Sequence, residues 1–117
     1  MLFRSFKTLV VAESGGELLV AVIPAAARLD LKGLASAVGA KKAALADPPA
    51  AERATGYVVG GISPFATRRD LPVYVESSIL ALSRILINGG RRGLLLELDT
   101  AVLEQTLPLQ EVSVAID

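Results

Sequence analysis

The sequence predicts an α/β domain of the α+β type, with a mixed, strongly curved β-sheet and short helices packed around it. Short β-branched and apolar runs are interleaved with short segments that open on Asp or Ser and stop at Gly or Pro. Their order is not a strict strand-helix-strand alternation, which points to a mixed sheet. Hydrophobic residues make up 52 % of the 117 and charged residues 21 %, a balance that excludes disorder and supports one packed core. The length sets a single domain over residues 1–117.

In chain order, residues 5–11 read as a strand interrupted by Lys7, and Glu13-Ser14-Gly15-Gly16 as a turn. Residues 18–23 are apolar throughout, as expected of a hairpin strand buried on both faces, and Pro24 closes it. Asp30 is placed to cap a helix through Val38, with Leu31, Leu34, Ala35 and Val38 on one face and Gly39 as its stop. Residues 41–46 suit a short strand. Asp47 and Pro48 then open a second helix. Tyr57-Val58-Val59 reads as a short apolar strand running into Gly60-Gly61. Further on, residues 72–76 suit a strand, with Ser77 or Ser78 capping a short helix after it. Residues 84–87 and 93–98 form a second hairpin around Asn88-Gly89-Gly90-Arg91-Arg92. Asp99 or Thr100 caps a helix that Pro108 ends, and residues 112–116 read as one last edge strand.

Composition removes several chemistries. With no Cys there is neither a disulfide framework nor a thiolate nucleophile, and with no His the commonest general base and metal ligand is missing. No metal or cofactor is expected. Twelve basic and twelve acidic residues cancel, so a nucleic-acid contact has to be local. The positive charges cluster at Arg68-Arg69 and Arg91-Arg92, either as phosphate contacts or as solvated loops. No run approaches a membrane span and the opening Met1-Leu2-Phe3-Arg4-Ser5 lacks a signal-peptide core, so a cytoplasmic protein is expected.

The stretch from Gly56 to Pro64 is the focus of the chain. Gly60 and Gly61 lack Cβ atoms, so the backbone can approach a ligand or take φ > 0, and Pro64 stiffens the end of the loop. Either this is only a turn, or its amides form a concave edge for a polar or anionic group. A methyl at Gly60 would intrude on a bound carbonyl in the second case and strain the backbone in the first. Lys7 leaves a similar choice, since a strand lysine either snorkels to solvent or points its ammonium into a pocket.

Thr55-Gly56-Tyr57-Val58-Val59-Gly60-Gly61-Ile62-Ser63-Pro64, with Phe6-Lys7-Thr8-Leu9-Val10 before it and Asn88-Gly89-Gly90-Arg91-Arg92-Gly93-Leu94 after it, resembles the YbaK/EbsC family in order and approximate spacing. That family comprises trans-editing deacylases related to the insertion domain of bacterial prolyl-tRNA synthetase. The resemblance implies the insertion-domain fold and hydrolysis of the ester of a mischarged tRNA, of Cys-tRNA(Pro) or Ala-tRNA(Pro) type. It also implies mischarged tRNA-Pro as a partner, with prolyl-tRNA synthetase beside it. By the same resemblance Lys7 and Gly60 are the catalytic positions, with Lys7 lining the pocket against the terminal adenosine or the ester. Tyr57, Gly61, Ile62, Ser63, Pro64 and Asn88 would bind substrate, and Arg68, Arg69, Arg91 and Arg92 the tRNA. Backbone N–H groups at Gly60 would act as an oxyanion hole, a device that needs no titrating side chain. Nothing pairs Glu52, Glu76 or Glu97 with a second catalytic group, so none is expected to be a general base.

This chain departs from the family pattern at two positions. Asn88 stands where the best-known members carry Ser, and Leu95 where they carry Asp, which leaves the amino acid removed open. Family members also carry a helical segment before the lysine, so the sequence reads as a fragment or a minimal variant. Two other classes remain beside the hydrolase: a non-catalytic module binding tRNA or aminoacyl-adenosine, and a regulatory protein. The absence of a basic helix or a helix-turn-helix pattern speaks against the last and against a DNA partner.

Overall fold

A computed structural model describes residues 4–116; Met1, Leu2 and Phe3 of the opening, and Asp117, lie outside the described residues. Along the chain the elements are β1 (Arg4–Glu13), β2 (Leu18–Pro24), β3 (Arg28–Leu29), α1 (Leu31–Val38), β4 (Ala43–Leu45), α2 (Pro48–Thr55), β5 (Val73–Glu76), α3 (Ser77–Leu80), β6 (Arg84–Asn88), β7 (Leu95–Asp99), α4 (Thr100–Thr106), β8 (Leu109–Val112) and β9 (Ala115–Ile116).

Seven strands form one sheet in the order β7-β6-β1-β2-β5-β8, with β4 pairing β1 off that path. The β1/β2 and β6/β7 pairs are antiparallel hairpins, whereas β1/β6, β2/β5 and β5/β8 are parallel, so the sheet is mixed as expected. Strand β2 lies in the middle of it. Its alternate residues serve opposite faces: Val20 and Val22 join Phe6, Val75, Ile79, Ile85, Ile87 and Leu103. Leu19, Ala21 and Ile23 join Val11, Leu34 and Val114 on the other side. A strand covered on both faces has no polar face to alternate with, hence its unbroken apolar run.

Helix α1 forms as the sequence requires, with Asp30 accepting the Gly33 N–H at 3.0 Å and Gly39 just past its end. Helix α2 starts at Pro48, but Asp47 makes no side-chain bond to it, and Asp99 makes none to α4.

Three expectations are corrected. Tyr57-Val58-Val59 is not a strand; the chain leaves α2 at Gly56 directly into turns, and Val58 and Val59 are 49 % and 40 % exposed. Neither Ser77 nor Ser78 occupies the N-cap of α3, a position taken by Glu76, while the Ser77 hydroxyl donates to the Val112 carbonyl. The last strand is two strands. Strand β8 follows β5 as far as Glu76 opposite Val112, and the buried Glu76 carboxylate then accepts the N–H groups of Val114 and Ala115 at 2.6 and 2.9 Å. That contact draws the chain off the edge of β5, and β9 pairs instead with β3, a strand too short to stand out in the sequence.

Candidate functional site

Strand β1 has a gap along one edge. Strand β6 pairs with Arg4 to Phe6 and β4 with Val11 to Glu13, and the residues between them have no strand partner on that side. Backbone groups alternate direction along a strand. The Val10 carbonyl accepts from Ala46 N–H on the β4 side and the Ser5 carbonyl accepts from Ala25 N–H on the β2 side. By that parity the N–H and C=O of Thr8 face the gap. A cleft of about 460 Å³ opens there, walled by Lys7, Thr8, Gly60, Ile62, Asn88 and Leu95 among others. Its volume suits a small ligand. Two further clefts, around Glu76 and Ser78 and beside α1, contain none of the site residues expected from the sequence.

Lys7 is half-buried and forms no hydrogen bond or ion pair among the described residues, so its ammonium has donors to offer a ligand. Thr8 carries no signal in the sequence beyond its place in the Phe6–Val10 motif. It is 7 % exposed, and its Oγ1 is buried without a hydrogen-bond partner. A buried hydroxyl left unmatched costs stability, and Thr8 stands in the cleft wall. Thr8→Val should therefore leave the domain as stable or up to about 1 kcal/mol more stable in urea unfolding, while lowering affinity for an aminoacyl-adenosine analogue in calorimetry. Lost stability with unchanged affinity would make the hydroxyl structural.

The glycine loop is held by side chains from α2, β6 and the β6–β7 connection. Gly61 N–H closes a turn on the Val58 carbonyl at 2.8 Å, with Gly60 at φ 91°. Glu52 of α2 accepts the Val59 N–H at 3.0 Å. The Arg92 Nε donates to the Val59 carbonyl at 2.9 Å, and Asn88 Nδ2 donates to the Gly60 carbonyl at 3.3 Å and the Arg91 carbonyl at 3.0 Å. The Gly60 N–H is left without a partner among the described residues. A Cβ built on Gly60 meets the Arg92 side chain, its Nε at 3.1 Å, so the methyl of Gly60→Ala would press on the loop's own support. The positive φ strains any such substitution in addition.

The structure brings Lys7, Gly60, Ile62 and Asn88 together in the cleft. It places the other expected residues around the loop. The Tyr57 hydroxyl donates to the Phe65 carbonyl at 2.6 Å and its ring lies against Gly90. Ser63 and Pro64 are buried, with Ser63 Oγ accepting the Phe65 N–H, and Gly61 is buried against the backbone of Arg91 and Arg92. Both Asn88 polar groups are engaged within the protein, since its Oδ1 accepts Gly90 N–H at 2.7 Å. Arg68, Arg69, Arg91 and Arg92 are all exposed. Arg68 and Arg69 sit at the end of α2, their N–H groups bonding the Thr55 and Ala54 carbonyls.

Among the described residues no acidic side chain lines the cleft. Glu52 holds the loop, Glu76 the C-terminal segment, and Glu97 pairs with Arg84 at 3.1 Å. Among the described residues no cluster of ligating side chains could hold a metal ion. Sequence reasoning singled out Leu95 but overlooked Leu45, Ala46, Ala51 and Val59, which form an apolar wall with it. Leu45, Val59 and Leu95 are 55 %, 40 % and 51 % exposed. Single exposed aliphatics carry no local signal; only their convergence on one rim does.

The cleft of this mixed-sheet domain sets Lys7 and Gly60, whose ammonium and N–H have no partner among the described residues, beside aliphatic side chains, the lining of a small-molecule binding site. The particular family follows from comparison: the chain belongs to the aminoacyl-tRNA editing domain family, whose model matches residues 2–106. It is 40 % identical over 95 residues, 81 % of its length, to a protein of Enterococcus faecalis provisionally named as the Cys-tRNA(Pro)/Cys-tRNA(Cys) deacylase EbsC, and it spans 58 % of that relative. The crystal structure of hypothetical protein APE2540 is similar at TM-score 0.87 and 28 % identity, over 96 % of this chain and 74 % of that one. A crystal structure provisionally described as a trans-editing enzyme for prolyl-tRNA synthetase matches at TM-score 0.89 and 22 % identity, over 100 % of this chain and 73 % of that one. This last likeness is one of fold. The expected YbaK/EbsC membership and insertion-domain-like fold therefore hold.

Proposed function

We propose that this domain is an aminoacyl-tRNA deacylase that hydrolyses, in trans, the ester joining a wrong amino acid to tRNA-Pro. The observation that supports the reading is that one cleft is lined by both Lys7 and Gly60, whose ammonium and N–H have no partner among the described residues. Two donors aimed at one ester would stabilise the oxyanion that forms when water adds to its carbonyl carbon. The carbon–oxygen bond to the ribose then breaks, and water supplies the hydroxyl of the released amino acid and the proton of the ribose. This chemistry needs no thiol, imidazole or metal. The free Thr8 hydroxyl is suited to hydrogen-bond the ester or the ribose. The apolar rim around Leu95 favours a small aliphatic side chain, which makes alanine a better fit than an amino acid with a polar end, with cysteine next because its thiol is only weakly polar. The tRNA is the partner, prolyl-tRNA synthetase a further one, and the cytoplasm the place of action. Among the described residues no helix is long and apolar enough to cross a membrane.

The test is release of labelled amino acid from a panel of tRNA-Pro species charged with alanine, cysteine, serine and proline. Clearance of the alanyl or cysteinyl species with prolyl-tRNA(Pro) spared is expected. Binding of the acceptor end with no species cleared would make the domain a non-catalytic module, and no binding at all would end the tRNA assignment.

Phosphate contacts give a separate prediction. Reversing Arg68 and Arg69 to Glu should weaken tRNA binding and flatten its salt dependence by about 0.7 log unit per log unit of salt for each phosphate released at a single-stranded end. An unchanged salt slope would leave these two exposed arginines as solubility features.

A further inference from the structure

We infer that Arg92 is a positioning residue of this site: its guanidinium sets the orientation of the Val59–Gly60 peptide, so that the Gly60 N–H rather than the Val59 carbonyl is presented to the cleft. The turn closed by Gly61 N–H on the Val58 carbonyl has Gly60 as its third residue at φ 91°, the signature of a type II turn. Type I and type II turns differ mainly by a flip of this central peptide, and a glycine at the third position tolerates either state. Some external contact has to select one. Arg92 Nε holds the Val59 carbonyl at 2.9 Å, and Glu52 Oε2 holds the preceding peptide through Val59 N–H at 3.0 Å.

Among the described residues every peptide bond is trans, and in a trans peptide the N–H points opposite to the C=O. Anchoring the Val59 carbonyl on Arg92 therefore directs the Gly60 N–H away from Arg92, and Val59 and Gly60 both form part of the cleft wall. The flipped peptide would turn a carbonyl oxygen towards a developing oxyanion, replacing attraction by repulsion. The guanidinium thus determines the sign of the dipole the substrate meets. This assigns Arg92 to the loop rather than to the tRNA backbone, and its catalytic consequence rests on the proposed deacylase activity.

The experiment compares wild type, Arg92→Met and Arg92→Lys on whichever of Ala-tRNA(Pro) and Cys-tRNA(Pro) the wild type clears, alongside the backbone amide resonance of Gly60. Misorienting one donor should lower kcat at least tenfold in Arg92→Met with KM changed much less, since loss of near-attack geometry alone costs factors of this order. Arg92→Lys, which keeps a donor near the Val59 carbonyl, should recover part of kcat. The Gly60 amide resonance should shift in Arg92→Met and lie closer to wild type in Arg92→Lys. An unchanged kcat, or a raised KM with a flattened salt slope and normal kcat, would overturn the inference, the latter by making Arg92 a phosphate contact. Should the wild type clear neither substrate, the deacylase reading falls by itself. The Gly60 resonance then decides the clamp alone: a shift in Arg92→Met supports it and an unmoved resonance overturns it.

Discussion

Lys7→Met lowers kcat/KM for the mischarged tRNA by at least tenfold, or ~1.4 kcal/mol, while the domain stays folded. Met retains most of the aliphatic stem that packs along β1 and removes only the ammonium, so the substitution separates charge from packing. Because Lys7 has no ion-pair partner among the described residues, its removal orphans no buried carboxylate. The loss should fall on the transition state, where charge builds on the ester oxygen, and appear in kcat more than in KM. The check is single-turnover deacylation of the substrate found by the panel, beside a thermal unfolding curve. Unchanged turnover with an unchanged midpoint would mean that Lys7 snorkels to solvent from the strand and that the site lies elsewhere.

Gly61→Ala has the largest expected effect on the fold, destabilising it by about 1 to 3 kcal/mol. A Cβ at this position would lie 2.7 Å from the Arg92 nitrogen and 2.8 Å from the Arg91 carbonyl carbon. Both are backbone atoms, so no side chain can swing aside, and the loop must separate from the β6–β7 hairpin. In a domain of this size each kcal/mol lowers the thermal midpoint by roughly 4 °C. Gly60→Ala makes the contrast. Its Cβ meets the end of a flexible arginine, so its cost is that of an L-residue at φ 91°, about 1 kcal/mol, together with displacement of Arg92 from the Val59 carbonyl. Urea unfolding of the two variants should rank Gly61→Ala below Gly60→Ala in midpoint. The reverse order would show that the loop and hairpin are not in such close backbone contact.

Much of the fold was legible because it is local. The β1–β2 hairpin is written in a turn of Glu13, Ser14, Gly15 and Gly16 between two apolar runs, α1 in Asp30 and Gly39, and the start of α2 in Pro48. The misreadings have tertiary causes. Val58 and Val59 have the composition of a strand, but with one carrying no strand partner and the other held through its N–H by Glu52 and its carbonyl by Arg92, they form a turn. The C-terminal run was divided by a carboxylate 38 and 39 residues earlier in the chain, which no local pattern announces.

The sequence by itself determined the mixed sheet, the burial of β2 on both faces and the two hairpins, and its family resemblance singled out Lys7 and Gly60, on which the proposed chemistry rests. Composition alone removed thiol and imidazole chemistry, because that is a matter of which atoms exist. Tertiary structure decided where those residues meet and what surrounds them. It opened the edge of β1 between β4 and β6, left the Thr8 hydroxyl without a partner beside the cleft, and turned Asn88 and Arg92 inwards onto the loop. The hydrogen bonds responsible link residues 28 and 33 positions apart, between segments whose own propensities are satisfied with or without them. Only the closing of the sheet brings the β6–β7 hairpin against the glycine turn, and only there does an arginine that reads as surface charge become a hydrogen-bond donor to one particular carbonyl.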